Sequence, residues 1–301
     1  MAGEFDFIDW IRAQRAPEGA APEDFVHVPP GDDLAVLKWP VDDLLLVGVD
    51  QVLDGVHFDA SRHSPRAIGR KAMNRNLSDC AAMGCLPAAA LATVALPKGA
   101  SIDYAKELYL GLRDAADPYY CPVVGGDTGS WAGKLVVTVT IFGRSGGVKP
   151  VTRAGAKPGD AIYVTGPLGG SIRGRHMTFE PRVFLGRQLA QTGLSTAMID
   201  LSDGLSRDLA HICRQSGVGA VVQASAVPTH DDAVEMRRDG HSPLEHALHD
   251  GEDYELLFTG PEGRFAGLAK PIGMITASPG VWLQTDGRTE PLEPKGWEHS
   301  L

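Results

Sequence analysis

Ala197-Met198-Ile199-Asp200-Leu201-Ser202-Asp203-Gly204-Leu205 decides how this chain is read. The run 197–201 predicts a buried strand, and the residues from Leu205 predict a helix over 205–216. Two aspartates stand at the joint between them, beside Ser202 and Gly204. Glycine lets the backbone turn tightly and lets a ligand approach closely. Aspartate supplies hard anionic oxygen, the donor that Mg²⁺ prefers.

Five further corners repeat this chemistry: Gly31-Asp32-Asp33, Val49-Asp50, Leu77-Ser78-Asp79, Gly125-Gly126-Asp127-Thr128 and Gly251-Glu252-Asp253. Each is expected at a strand end or a helix start. Brought together they would form a pocket of carboxylates, which repels phosphate until cations fill it. With Mg²⁺ in place such a pocket becomes a cradle for a triphosphate. One Gly-Asp pair alone is ordinarily a turn, and Asp203 alone reads equally as a helix N-cap.

Working outward, residues 4–15 have helical spacing of Phe5, Ile8 and Ile11. Strands are predicted at 34–39, 44–49, 88–96, 123–124 and 135–142. Ser64-Pro65 opens a helix expected to run to Gly84, and Ser101 caps another reaching about Ala116. The Gly-, Lys- and Pro-rich stretch 143–158 marks a domain boundary, giving domains 1–148 and 149–301. The second half continues with strands at 161–165, 197–201, 219–224, 254–258, 272–276 and 281–284, and helices near 182–192 and at 205–216. Both halves mix strands and helices, so the class is α/β (α+β) with two domains.

The 301 residues carry 28 Lys and Arg against 38 Asp and Glu, a net charge of −10. A chain this acidic is poorly suited to a nucleic-acid groove, so any phosphate it handles needs added cations. The first ten residues include Glu4, Asp6 and Asp9 and no basic cluster, unlike a secretory leader. No apolar run has transmembrane length. Cys80, Cys85, Cys121 and Cys213 form no C-x-x-C pair and are expected to be reduced, buried thiols, which implies a cytoplasmic compartment. The P-loop, the dinucleotide fingerprint and the nucleophile elbow are all missing. Lys71 and Arg153 lie near the acidic corners in sequence and are candidate phosphate contacts.

The order of the corners resembles thiamine-monophosphate kinase, within the PurM-like group of ATP-using proteins. The resemblance rests on Gly3-Glu4-Phe5, Gly31-Asp32-Asp33-Leu34-Ala35-Val36, Asp54-Gly55-Val56-His57-Phe58, Asn76-Leu77-Ser78-Asp79-Cys80-Ala81-Ala82-Met83-Gly84 and Gly125-Gly126-Asp127-Thr128. It continues through Thr152–Asp160, Asp200-Leu201-Ser202-Asp203-Gly204-Leu205 and Gly251-Glu252-Asp253-Tyr254-Glu255-Leu256, so it spans nearly the whole chain. It implies a homodimer in which the N-terminal domains join sheets into a barrel, with an α/β C-terminal domain closing over ATP. The implied reaction moves the γ-phosphoryl of ATP directly onto thiamine monophosphate, with no covalent nucleophile on the enzyme.

By motif, Asp33, Asp50, Asp79, Asp127, Asp200 and Asp203 would hold Mg²⁺. Gly126, Asp127, Arg153 and Ser202 would contact ATP. His57, Glu252 and Trp297 would face thiamine monophosphate. No nucleic acid or membrane partner is implied.

Two departures stand out. Ser or Thr ordinarily precedes the aspartate found here as Asp50, where this chain has Gly48-Val49. The segment Gly166–Arg182 is short, and Phe179 replaces a proline of the family's His-x-x-Pro-x-Pro-Arg stretch. These differences leave a catalytically altered nucleotide-binding homologue as the alternative, together with a PurM-like enzyme using another acceptor. Selenophosphate synthetases are disfavoured because the first cysteine is Cys80, and hydrogenase-maturation relatives because the chain ends His299-Ser300-Leu301.

Overall fold

A computed structural model of the chain describes residues 10–11, 13–14, 25–28 and 36–297. Asp33 and most of the helix expected over 4–15 lie outside the described residues. The chain divides into two compact units, one made of Met1–Cys80 with Cys85–Gly147 and the other of Ala81–Gly84 with Val148–Leu301.

In the N-terminal unit, β1 (Val26–Val28) pairs antiparallel with β2 (Val36–Leu37). A four-stranded sheet follows, built from β3 (Leu45–Leu53), β4 (Leu86–Pro97), β5 (Val123–Trp131) and β6 (Val136–Arg144) in the order β3-β6-β4-β5. Only the β4–β5 pair is parallel. Two helices, α1 (Pro65–Met83) and α2 (Ile102–Ala116), accompany it. The Ser64 and Ser101 hydroxyls accept the Ala67 and Tyr104 N–H groups at 3.2 and 3.1 Å, as capping predicts.

The strand period of two divides this sheet into unlike faces. Val137, Val139 and Ile141 of β6 are buried on one. Leu45, Val47 and Val49 of β3 are exposed on the other. Among the described residues this sheet is open and closes no barrel.

The C-terminal unit contains β7 (Ala161–Val164), α3 (Arg175–Thr178), α4 (Val183–Gln191), β8 (Ala197–Asp200), α5 (Leu205–Ser216), β9 (Gly219–Gln223), α6 (Asp231–Met236), α7 (Pro243–His249), β10 (Leu256–Gly260), β11 (Lys270–Thr276), β12 (Gly280–Thr285) and β13 (Arg288–Pro291). Its seven strands form one sheet ordered β13-β12-β9-β11-β7-β10-β8, with only β12 and β9 parallel. Ile162, Val164, Ile199, Leu209, Ile212, Val222 and Leu257 belong to its buried core. Tyr163 stacks on Phe258 with centroids 5.0 Å apart, and Phe265 closes edge-on over both.

Three expectations need correction. Asp127 does not sit at a corner: β5 runs on through Gly125, Gly126 and Asp127 to Trp131. A Cβ at Gly126 would lie 1.8 Å from the Ala92 carbonyl, so glycine there admits a neighbouring strand. Asp50 and Asp79 likewise lie inside β3 and α1. The strand expected from Tyr254 starts at Leu256, because Tyr254 has a φ of 53° and cannot extend a strand.

All four cysteines are free and buried, and burial pushes the Cys121 thiol up to about 12. No helix among the described residues is long and apolar enough to cross a membrane.

Candidate active site

In the C-terminal unit, β8 ends at Asp200 and β10 begins opposite it, with Leu256 in register with Asp200. The chain before β10 therefore runs beside the chain after β8. Three backbone bonds fasten them: Leu201 N–H to Glu255 O at 2.8 Å, Tyr254 N–H to Leu201 O at 2.9 Å and Glu252 N–H to Ser202 O at 2.8 Å. A third segment joins through Trp297 N–H to Asp203 O at 3.2 Å. Glycine makes both approaches possible. A Cβ at Gly251 would lie 2.7 Å from Ser202 O, and one at Gly296 2.1 Å from Asp203 O. Asp200, Ser202, Asp203, Glu252 and Trp297 are thus gathered by one loop cluster.

Asp203 is not the cap of α5. Gly204 occupies that position without a side-chain bond. The Asp208 carboxylate, from the first turn of the helix, instead accepts the Asp203 and Gly204 N–H groups at 3.2 and 3.1 Å. Burial, then Asp200 and Asp203, hold the Asp208 carboxyl well above the usual carboxylate range.

Among the described residues, Asp203, Asp208 and His211 form one group whose ligand atoms all lie within 4.8 Å of one another. The His211 ring meets Arg214 Nη2 at 2.8 Å. Its proton affinity is lowered by burial first and then by Arg214 and Arg153, with Asp203 opposing. Arg153, exposed in the loop before β7, is therefore felt at the same cluster, and its carbonyl accepts the Ser216 hydroxyl at 3.2 Å.

In the N-terminal unit, α1 presents Lys71, Arg75 and Asp79 at four-residue spacing, hence on one face. Arg75 Nε donates to Asp50 Oδ2 at 3.1 Å. Asp79 Oδ2 lies 3.8 Å from where a Cβ on Gly48 would stand. Lys71 Nζ donates to His57 O at 2.7 Å. The structure thus brings Asp50 and Asp79 together and places His57 farther along the same helix face. His57 Nδ1 accepts the Leu53 N–H at 3.1 Å, so the neutral ring carries its hydrogen on Nε2.

Lys71 is fully buried and bound to the His57 carbonyl, so it is a support for the turn and not a phosphate contact. Gly126 lies in the row Asp50–Val139–Ala92–Gly126, whereas Asp127 lies in the next row with Thr93, Thr138 and Gln51. Asp127 therefore projects from the opposite sheet face to Asp50, on the edge strand, about 15 Å across at the usual strand spacing. Val49 also projects from that open face, so a hydroxyl there would point away from Asp50.

Arg75, Asp208 and Tyr254 are parts of these arrangements that sequence reasoning passed over. The four-residue spacing with Asp79 was a signal for Arg75. Asp208 had no comparable one, since acidic residues in a first helical turn are common.

Residues 31–145 match the family model for AIR synthase related protein, N-terminal domain. The thiamine-monophosphate kinase of Rhodopirellula baltica is 40% identical over 286 residues, covering 89% of this chain and 90% of that protein. The crystal structure of thiamine-monophosphate kinase from Stenotrophomonas maltophilia matches with a TM-score of 0.80 at 32% identity, over 95% of this chain and 97% of that one. The structure of AaThiL complexed with AMPPCP and TMP matches with a TM-score of 0.79 at 31% identity, over 99% and 97%. With its motifs, its mixed α/β fold and its full-length relatives in agreement, this chain belongs to the thiamine-monophosphate kinase family.

Proposed function

We propose that this protein transfers the γ-phosphoryl group of ATP to thiamine monophosphate, giving thiamine diphosphate and ADP. The observation that carries this reading is the loop cluster that docks Asp200, Ser202, Asp203, Glu252 and Trp297 on one another. The relative that binds AMPPCP and TMP supports the choice of the two substrates.

The donor set suits Mg²⁺, because it consists of carboxylate oxygens on closely supported backbone. Asp200 and Asp203 would hold ions in the C-terminal unit, and Asp50 and Asp79 in the N-terminal unit, with Asp33 as a further ligand; Asp127, on the opposite face of the N-terminal sheet, falls outside that set. Bound Mg²⁺ would neutralise phosphate charge and align the transferring group. Ser202, Arg153 and Gly126 would meet the nucleotide. Glu252, Trp297 and His57 would meet the thiamine phosphate, with Trp297, about half exposed, offering a ring face to the heterocycle.

The acceptor oxygen belongs to a phosphate whose second pKa is about 6, so it is largely deprotonated at neutral pH. No strong general base is needed, and the protein's task is placement of two anions in line. Transfer is direct, without a phosphoenzyme.

The open sheet face with Leu45, Val47 and Val49 is the surface through which a second copy would pair, making the protein a homodimer. The net charge of −10 is unfavourable for nucleic acid. With its buried free thiols, the chain suits the cytoplasm.

Incubation with ATP, Mg²⁺ and thiamine monophosphate, followed by chromatography, should yield thiamine diphosphate and ADP in equal amounts. Free phosphate without thiamine diphosphate would make the protein a phosphatase, and binding of ATP without turnover would make it an inactive homologue.

A further inference from the structure

The turn before β10 holds two adjacent-but-one residues, Glu252 and Tyr254, at φ of 52° and 53°, a conformation L side chains rarely adopt. Their N–H groups bond Ser202 O and Leu201 O, while the Asp253 carboxylate between them accepts the Gly169 N–H and pairs with Arg175. In this doubled turn the Tyr254 side chain folds back so that its hydroxyl donates to Glu252 Oε1 at 3.3 Å. The Tyr254 ring is buried and lies flat on Phe179, with centroids 3.8 Å apart and planes 14° off parallel. Phe179 is itself buried, just beyond α3, at the position where a proline is usual.

We propose that Phe179 and Tyr254 are positioning residues for acceptor recognition: Phe179 fixes the Tyr254 ring, and the Tyr254 hydroxyl fixes the Glu252 carboxylate toward the thiamine portion of the acceptor. The proposal rests on the reading that Glu252 faces thiamine monophosphate. Stacking restricts the ring to one plane, and a hydroxyl on a fixed ring offers its hydrogen in one direction. A smaller aliphatic side chain at 179 would leave the ring free to tilt and Glu252 free to rotate. The arrangement makes no claim on the nucleotide, so its loss should fall on one substrate only.

The test is steady-state kinetics on the full-length chain carrying Phe179→Leu, Tyr254→Phe, or both. Each single variant should raise KM for thiamine monophosphate about fivefold and leave KM for ATP within about twofold, one hydrogen bond being at stake. The double variant should be no worse than the worse single one, because both act through the same bond. Phe179→Tyr, which keeps the stacked ring, should restore the wild-type KM. Equal increases for both substrates, or multiplying effects in the double variant, would overturn the proposal.

Tyr254→Phe removes a single oxygen and carries the same test should Phe179→Leu fail to fold. Crystal structures of the wild type and of the most destabilised variant that folds separate this claim from the functional reading. In Phe179→Leu, or in Phe179→Met if leucine is not tolerated, the Tyr254 hydroxyl should leave hydrogen-bonding distance of Glu252. An unmoved hydroxyl refutes the positioning role whatever the acceptor is. A wild type that ignores thiamine monophosphate refutes the functional reading and leaves the structural comparison to decide this one.

Discussion

In the N-terminal unit, Asp50 and Asp79 ride on a strand and a helix, and Asp50 is paired with Arg75. In the C-terminal unit, Asp200 closes a strand, and Asp203 and Glu252 ride on the loops beyond it, which are fastened to one another and to the segment bearing Trp297 by backbone bonds and to the Asp208 carboxylate through backbone N–H groups. The first arrangement inherits its precision from periodic elements, whose hydrogen bonds are made regardless of the acidic side chains. The second depends on glycines at the points of closest approach and on residues in left-handed backbone. Regular elements therefore place carboxylates robustly, and loop clusters place them densely but at a greater sensitivity to substitution.

The largest effect separating the two regions should come from the carboxylates of the loop cluster. Asp203→Asn should lower kcat for thiamine diphosphate formation by about 10³-fold with little change in the thermal midpoint, because the lost charge serves the transition state. A variant with near-normal kcat would break the comparison, leaving the loop cluster without a catalytic role.

Glycine substitutions come next. Gly251→Ala places a Cβ 2.7 Å from Ser202 O at a φ of +75° and should cost about 3 kcal/mol in urea unfolding. Gly48→Ala, beside Asp79 in the N-terminal unit, meets only ordinary contacts at 3.6 and 3.8 Å and should change stability by less than about 1 kcal/mol. Equal costs at the two positions would remove the distinction between regular and loop placement.

A pH effect of intermediate size belongs to Asp253. Burial pushes its carboxyl up to about 7, against the lowering influence of Arg175 and the Gly169 N–H. With a folded-state pKa above the unfolded one, its stabilising contribution is full below about pH 4 and is lost as pH rises toward about 7. Thermal midpoints measured across that window should fall less steeply in Asp253→Asn than in the wild type. Parallel curves would place the titrating group elsewhere.

Smallest of all is the expected effect of Val49→Thr. Because Val49 lies on the open face and Asp50 on the other, the Mg²⁺ titration of activity should not shift. A clear shift would mean that the open face also serves an ion, with Asp127 as its natural ligand there.

Much of this architecture was legible in the residues. The helices at Ser64-Pro65 and Ser101 announce themselves by capping chemistry, and the strand predicted at 135–142, found at Val136–Arg144, by its β-branched residues. What local pattern could not convey was which aspartates sit in turns. Gly125-Gly126-Asp127 has the composition of a phosphate loop, yet Gly126 admits the backbone of β4 at Ala92, a contact from 34 positions earlier. Lys71 reads as a candidate phosphate contact because nothing nearby in sequence predicts that its ammonium reaches back 14 residues to His57 O. The αL residues Glu252 and Tyr254 are equally silent locally, since only the docked 201–203 backbone makes that conformation worthwhile.

The most direct test is a crystal structure of the full-length protein with Mg²⁺, a non-hydrolysable ATP analogue and thiamine monophosphate. Carboxylate oxygens of Asp200 and Asp203 should lie about 2.1 Å from ions that also contact the nucleotide phosphates. Nucleotide bound with both carboxylates remote from any ion would contradict the role assigned to the loop cluster.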